Sequence, residues 1–161
     1  MPTIPIGLPA IGTLLQVGNG ASPEIFNSVA NIGDITGPST QVAVVDVTAH
    51  TSGSVPFRQK LPTLIDPGVI TFPVYLVPSS GGPTGAGTYM GHNYAAGLGR
   101  LLINRGLTPG VPYNWKIIYP DGLSTFDEFQ GFLTKYARDM KVAGVIMANA
   151  EITLTGFPSF A

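Results

Sequence analysis

Glycine and proline divide this chain into short segments, and only one segment is long and periodic enough to form a helix. The 161 residues include 21 glycines and 15 prolines, which interrupt helices and mark turns. Residues 93–105 place apolar side chains at steps of three and four on one face. Asn93 can cap this helix and Gly106 can end it. The sequence therefore predicts a mainly β fold, an antiparallel β-sandwich or barrel of about six to eight strands, with one flanking α-helix at about 93–105.

The other apolar segments have the short length and the turn boundaries of β-strands. Thr40–Thr48 carries apolar residues on both faces, which predicts a strand that is buried or is covered on its second face by assembly. Pro73 predicts an edge or a bulge in its strand, and the interrupted alternation within Ser124–Tyr136 predicts a bulge there. The predicted strands are Gly12–Gly18, Glu24–Ala30, Thr40–Thr48, Pro67–Val77, Pro112–Tyr119, Ser124–Tyr136 and Lys141–Thr155.

Three segments lack the period of a helix or strand. Residues 1–11 contain three prolines and are predicted to form an extended N-terminal arm. Residues 49–66 are predicted to form a long loop with both apolar and basic side chains, and residues 78–92 a second loop rich in glycine and proline. Residues 12–158, with these two loops, are predicted to form a single β domain.

Charged side chains are scarce in this sequence. The 8 Lys and Arg residues and 9 Asp and Glu residues make up 11% of the chain, against about 25% in an average soluble domain. So few charged residues indicate that other copies or other proteins cover much of the surface. The net charge of −1 gives no basic field that would hold nucleic acid.

Several protein classes are disfavoured by what the sequence lacks. Because the chain has no cysteine, it has no disulfide, no thiol nucleophile and no cysteine zinc site. No apolar run approaches the ~18 residues of a membrane span. No basic residue precedes the apolar N-terminal segment, as it would in a secretory signal. We expect a protein that is made and folded in a cytoplasm and has no membrane partner.

The sequence predicts no catalytic, cofactor or metal site, and the chain is not expected to be an enzyme. Asp127 and Glu128 are adjacent, so a strand would point them to opposite faces. His50 and His92 have no acidic or hydroxyl partner at a recognisable spacing, and we expect both to be loop histidines. The stretch 85–91, GAGTYMG, differs from a dinucleotide-binding loop because its third glycine is one position late and no βαβ unit surrounds it.

A row of aromatic residues suggests an alternative from another class. Tyr113, Trp115 and Tyr119 lie on one face of a predicted strand. Such a row is usually core packing, but it can also form the sugar-stacking platform of a monomeric β-sandwich carbohydrate-binding module. That alternative predicts a monomer at all concentrations.

Six segments carry motifs that occur together in one known family. Residues 12–26 read G-x-x-L-x-x-G-x-G-x-x-P-E-x-F, and residues 118–132 contain P-D-G followed by F-x-G-F. The other four segments are 45–48 (VDVT), 60–62 (KLP), 67–72 (PGVITF) and 150–158 (AEITLTGFP). In this order and spacing they resemble the major tail tube proteins of lambda-like bacteriophages with long, non-contractile tails. The resemblance covers most of residues 12–158.

The resemblance implies two packed antiparallel sheets with a flanking helix, and a structural function. Six subunits would form a ring whose inner strands close into one barrel, and stacked rings would form the hollow tail tube that delivers the genome. The protein would belong to the virion and be assembled in the host bacterial cytoplasm, with tape measure, tail terminator and tail-tip proteins as partners. DNA would pass through the lumen without specific binding, and no cofactor is implied.

The resemblance also implies a stacking role for the loop 49–66, which would reach a neighbouring ring. An inner tube of a contractile tail or of a secretion system is the nearest alternative, and the sequence does not distinguish the two. The residues expected to make the contacts between rings are Val55, Phe57, Arg58, Lys60, Leu61 and Ile65.

Overall fold

The fold consists of eight β-strands and one short α-helix in the part of the chain that the structure describes. The structure is a computed structural model and describes residues 7–48, 58–78 and 89–160. All strand pairs are antiparallel. In chain order the elements are β1 (Leu14–Gly18), β2 (Phe26–Ser28), β3 (Gln41–Asp46), β4 (Lys60–Asp66), β5 (Val69–Tyr75), α1 (Leu98–Asn104), β6 (Tyr113–Ile118), β7 (Phe126–Asp139) and β8 (Met147–Phe160).

Six of the strands form one sheet in the order β2-β1-β6-β7-β8-β5, and β3 and β4 form a separate two-stranded sheet. This confirms the predicted class of a mainly β fold with two antiparallel sheets and one helix. β5 is an edge strand of the larger sheet, as Pro73 predicts. The register of β7 against β8 shifts twice, which confirms the bulge predicted from the phenylalanine spacing.

The segment after β2 covers the outer edge of β5. Thr36 and Thr71 exchange two backbone hydrogen bonds of 2.9 Å, and the N–H of Gly33 donates to the carbonyl of Pro73 at 2.8 Å. Because proline has no N–H to donate, it fits on this side of β5, where only its carbonyl is needed. These bridges join the two edges of the larger sheet, so the sheet curls into a barrel-like body around the core.

The core lies inside this body, where alternate residues of the strands point inward. Trp115 is fully buried at the centre, and its indole N–H donates to the carbonyl of Gly131 at 3.2 Å. Leu98 and Leu101 bring one face of α1 onto the same cluster. The strand residues of the core are Leu15, Val17, Ile70, Phe72, Val74, Tyr113, Trp115, Ile117, Phe129, Leu133, Tyr136, Ala148, Ala150, Ile152 and Leu154.

The helix begins later than the sequence predicts. The side-chain oxygen of Asn93 accepts hydrogen bonds from the N–H groups of residues 95, 96 and 97. Asn93 therefore caps a turn, and α1 begins after that turn, at Leu98. The helix ends at Asn104, and Arg105 takes the left-handed conformation one residue before the expected Gly106.

Several predicted boundaries differ from the structure. Residues 60–66 of the predicted loop are strand β4, and residues 49–57 lie outside the described residues. The strand predicted from Lys141 begins only at Met147, because residues 140–146 form the turn between β7 and β8. Of the predicted arm, residues 7–11 are exposed and irregular and residues 1–6 lie outside the described part. Residues 79–88 of the loop 78–92 lie outside it too, whereas Met90 and His92 are fully buried.

Replacing Trp115 with alanine should destabilise the subunit strongly. The change removes a fully buried ring and its hydrogen bond to Gly131, which corresponds to a loss of about 3–5 kcal/mol in the free energy of unfolding. Urea denaturation followed by circular dichroism measures this. The matched control is Leu123→Ala, at an exposed position, which should change stability by less than about 0.5 kcal/mol. Equal effects of the two changes would contradict the assignment of the core.

Candidate assembly surface

The β3–β4 hairpin is exposed along its whole length. Every residue of both strands is exposed, including valine, leucine and isoleucine side chains. The two strands contact chiefly each other and stand apart from the larger sheet. An isolated two-stranded sheet is at best marginally stable in water. This hairpin is therefore a surface that needs a partner.

The register of the hairpin places apolar residues on both faces. Val42 pairs with Ile65, Val44 with Pro62, and Val45 with Leu61. Because successive residues of a strand point to opposite faces, the first two pairs share one face, and Val45 and Leu61 lie on the other. Leu64, which is 82% exposed, lies where β4 has one residue more than β3. Neither face rests on the core, so both faces are available to other chains.

The root of the hairpin is held close to the body by two glycines. Gly37 and Gly68 both have positive φ, +110° and +79°. A Cβ at Gly68 would lie 2.2 Å from the carbonyl oxygen of Ser39, and a Cβ at Gly37 would lie 2.5 Å from that of Val69. Since a side chain at either position would force the backbones apart, the two glycines fix the approach of the hairpin to β5.

Hydrogen bonds tie the two strands together where the described part of the hairpin ends. The carboxylate of Asp46 accepts from the N–H of Thr48 at 2.9 Å and from its hydroxyl at 2.5 Å, and these bonds lower the pKa of Asp46. The Thr48 hydroxyl oxygen also accepts from the N–H of Gln59 at 2.9 Å. Arg58 lies 3.6 Å from Asp46 as an exposed ion pair. Residues 46–48 thus continue the hydrogen bonding between the two strands beyond the end of β3.

Four of the six residues predicted to make contacts between rings lie on or beside this hairpin. Arg58 precedes β4, and Lys60, Leu61 and Ile65 belong to it; Val55 and Phe57 lie outside the described residues. The six predicted residues include none from β3, and they do not include Leu64 of β4. The sequence did indicate a strand here that is buried or is covered by assembly, because Thr40–Thr48 is apolar on both faces. The omitted apolar residues are Val42, Val44, Val45, Val47 and Leu64.

The residues weighed for chemistry have structural roles. Glu128 pairs with Lys116 at 3.5 Å, and the Lys116 ammonium lies over the rings of Phe26 and Phe126 at 3.9 and 4.1 Å. Asp127 instead accepts from the Tyr119 hydroxyl, and burial together with this bond raises the pKa of Tyr119 to about 12. The two acids thus have separate partners, as their adjacency predicts.

His92 lies in a loop, as the sequence predicts, and its side chain is fully buried. Its Nε2 bonds to the carbonyl of Ala30 at 2.8 Å, and its Nδ1 accepts from the N–H of Val77 at 3.0 Å. This pattern requires the neutral ring, and burial lowers its pKa below the ordinary 6.5. The His92 carbonyl also accepts from the Tyr136 hydroxyl at 2.6 Å. His92 thereby joins three parts of the fold. His50 lies outside the described residues.

The aromatic row cannot serve as a sugar platform. Tyr113 and Trp115 are buried in the core and contact each other edge to face, with ring centroids 6.4 Å apart. Neither ring presents a face to a ligand, so the carbohydrate-binding interpretation of these residues is wrong. Within the described ranges there is no group of three or more residues that could hold a metal ion. No described helix is long and apolar enough to cross a membrane.

Comparisons with known proteins find similarity only among solved structures. No family model matches the chain, and no curated protein matches it. One similar solved chain belongs to the PVC sheath/tube terminator of an extracellular contractile injection system in its extended state, with a TM-score of 0.66 and 10% identity over 99% of each chain. Another belongs to the tail of an empty GTA particle refined with C6 symmetry, with a TM-score of 0.67 and 13% identity, covering 96% of this chain and 99% of that one.

A third similar chain belongs to the PVC sheath–tube complex in its extended state. Its TM-score is 0.64 at 9% identity, and the match covers 98% of this chain and 95% of that one. Since the matches span nearly the full length on both sides, the similarity concerns the whole domain. The chain therefore has a fold found in components of tail and injection-system assemblies.

Replacing Thr48 with valine should loosen the end of the hairpin without unfolding the subunit. The change keeps the shape of the side chain but removes the hydroxyl that bonds to Asp46 and Gln59. Since one such bond contributes about 1 kcal/mol, amide hydrogen exchange at Gln59 should become about fivefold faster, with an unchanged global melting temperature. Thr63→Val is the control on the same hairpin, where the lost bond goes to Ala43. An unchanged rate at Gln59 in Thr48→Val would contradict the assigned network.

Acid should destabilise the subunit through His92. Because the folded-state pKa lies below the unfolded value of about 6.5, the unfolded chain binds more protons between these two values. Stability is therefore full above about pH 6.5 and falls as the pH drops towards the lowered pKa, by at most about 1.4 kcal/mol per pH unit. Urea unfolding across this range should show the slope in the natural protein and in His50→Gln, but not in His92→Gln. Loss of the slope in His50→Gln would show that His50, and not His92, causes the pH dependence of stability.

Proposed function

We propose that this chain is a structural protein that self-assembles into stacked rings and so forms the hollow tube of a tail. The single observation that carries the proposal is the β3–β4 hairpin, which exposes apolar side chains on both faces and contacts chiefly itself. An exposed apolar sheet of this kind marks an interaction site. Binding to neighbouring copies covers both faces and supplies the stability that the hairpin lacks alone.

The charge of the chain supports assembly. Only 17 side chains of 161 are charged, from 8 basic and 9 acidic residues. On the described part of the hairpin, Arg58 and Lys60 balance Asp46 and Asp66, so its formal charge is zero. Copies of such a surface approach each other without strong repulsion, and apolar contact dominates their association. A tube wall with little net charge also lets DNA slide through without being held.

The structural comparisons support a tube and a ring of six. The similar chains belong to assemblies described as sheath–tube complexes and particle tails. One of these was refined with C6 symmetry, and a chain of the anti-feeding prophage baseplate, with a TM-score of 0.57, comes from a sixfold-symmetrised structure. We propose hexameric rings on this basis. Closing strands across six copies would also remove exposed sheet edges.

The ordered sequence motifs favour the tail tube of a lambda-like phage with a non-contractile tail. In that setting the tube is part of the virion, assembles in the cytoplasm of the host and conducts the genome. Its partners are the tape measure, tail terminator and tail-tip proteins. The residues proposed to make contacts between rings remain Val55, Phe57, Arg58, Lys60, Leu61 and Ile65, extended by the apolar residues of β3. The role is structural and not enzymatic.

The inner tube of a contractile system is the second candidate. The observation that favours it is the similarity to chains of an extracellular contractile injection system. A contractile tail contains a sheath around its tube, so a sheath gene beside the gene for this chain would decide for this candidate. Absence of a sheath gene from the surrounding tail genes would decide for the non-contractile tube.

Replacing Leu61 and Ile65 together with aspartate should abolish assembly and leave the subunit folded. Both side chains are exposed, and they lie on opposite faces of the hairpin. Losing the burial of two such side chains removes at least about 3 kcal/mol from the contacts of each subunit, which raises the concentration needed for assembly about 100-fold or more. Sedimentation velocity over a concentration series measures this, with circular dichroism as the check on folding.

The matched control is Leu61→Val with Ile65→Val, which keeps both faces apolar and uncharged. This control should assemble within about tenfold of the natural concentration. Normal assembly of the aspartate variant would show that the hairpin is not an interface. A folded natural protein that stays monomeric at every concentration would contradict self-assembly itself.

A further inference from the structure

The turn between β7 and β8 is a second exposed apolar surface. Hairpin turns are usually polar, but five of the seven residues at 140–146 are apolar. Val142 is fully exposed, and the side chains around it have little contact with the body. The core does not need this turn, because the buried residues of β8 begin at Ala148. The exposed apolar side chains are Met140, Val142, Val145 and Ile146.

This turn and the root of the β3–β4 hairpin lie at opposite ends of strand β5. β5 begins at Val69, beside the root of the hairpin, and ends at Tyr75, which pairs with Met147 next to the turn. Seven residues of strand span about 20 Å. A second copy placed end to end along the strand direction therefore brings its turn towards the hairpin of the first.

The two surfaces match in character. In the turn, Lys141 lies 3.3 Å from Asp139, so the ion pair neutralises its charges. The hairpin likewise pairs Arg58 with Asp46. Each surface is thus apolar, formally neutral and flanked by one exposed ion pair. Two such surfaces attract each other by apolar contact, and neither carries a net charge that would repel the other.

We propose that the β7–β8 turn of one copy docks on the β3–β4 hairpin of the next copy, on the face that carries Val45 and Leu61. This inference rests on the proposed function and names the partner of the hairpin. The contact is heterologous, since it joins two different patches of the subunit. Heterologous contacts propagate in one direction, so the resulting assembly is polar, with hairpins at one end and β7–β8 turns at the other.

The absence of natural cysteine allows a direct test by crosslinking. Leu61→Cys and Val142→Cys are prepared as two separate proteins, and both positions are exposed. They are mixed at a concentration at which the natural protein assembles and treated with a short bismaleimide crosslinker. The mixture should give a covalent dimer containing one copy of each variant, whereas each variant alone should give none. The protein with both substitutions should give a ladder of covalent oligomers.

Two controls make the result specific. Thr134→Cys lies at an exposed position within β7, away from both surfaces, and should not crosslink to Leu61→Cys. In addition, Leu61→Asp and Val142→Lys should each raise the concentration needed for assembly at least tenfold, and an equimolar mixture of the two should recover part of that loss. Circular dichroism verifies that each variant is folded.

The outcomes separate this inference from the proposed function. Tubes or rings without a mixed dimer would overturn the turn-to-hairpin contact and leave the tube assignment standing. A dimer formed by Leu61→Cys alone would show a hairpin-to-hairpin contact and would also overturn the inference. If the natural protein does not assemble at all, the proposed function fails first. A mixed dimer, with no dimer from either variant alone, supports both.

Discussion

The structure depends on the closure of one six-stranded sheet around a single aromatic and aliphatic core. Trp115 fills the centre of that core, and the segment after β2 bridges to β5, so both edges of the sheet are bonded. Closure satisfies the hydrogen-bonding groups of the backbone and buries the inward side chains of the sheet. β3 and β4 form a separate sheet outside this body.

The β3–β4 hairpin lies outside the closed sheet and is exposed along its whole length. It is attached at a root where Gly37 and Gly68 let the backbones approach closely, and it is bonded across its described end through Thr48. Between these points its valine, leucine and isoleucine side chains are exposed, and the two strands contact chiefly each other. A rigid attachment combined with an uncovered apolar sheet is suited to holding a neighbouring subunit in a fixed orientation. In the proposed assembly, burial of apolar surface acts first within the subunit and afterwards between copies.

Local patterns in the sequence predicted the parts of the fold that local forces decide. The edge position of Pro73 and the bulge in β7 both follow from residue chemistry within a few positions. β4 was not predicted from the sequence, because Pro62 lies inside this strand. In addition, β4 has one residue more than β3 opposite Ala43, which interrupts the two-residue period of a strand. The burial of His92 depends on Ala30 and Val77, which are distant in sequence. No local pattern shows such a contact. From the sequence, residues of the candidate surface were predicted only in and beside β4. The residues of β3 were added because the register of the pair places them directly opposite those of β4.

The most direct measurement of the central claim is electron microscopy of the purified natural protein over a concentration series, with light scattering on the same samples. The account predicts hollow rings of six copies at moderate concentration and longer hollow tubes as the concentration rises. It also predicts that both forms have a uniform outer diameter, because every ring is built from the same contacts. A folded protein that remains monomeric at the highest concentration, or that forms only irregular aggregates, would contradict the account.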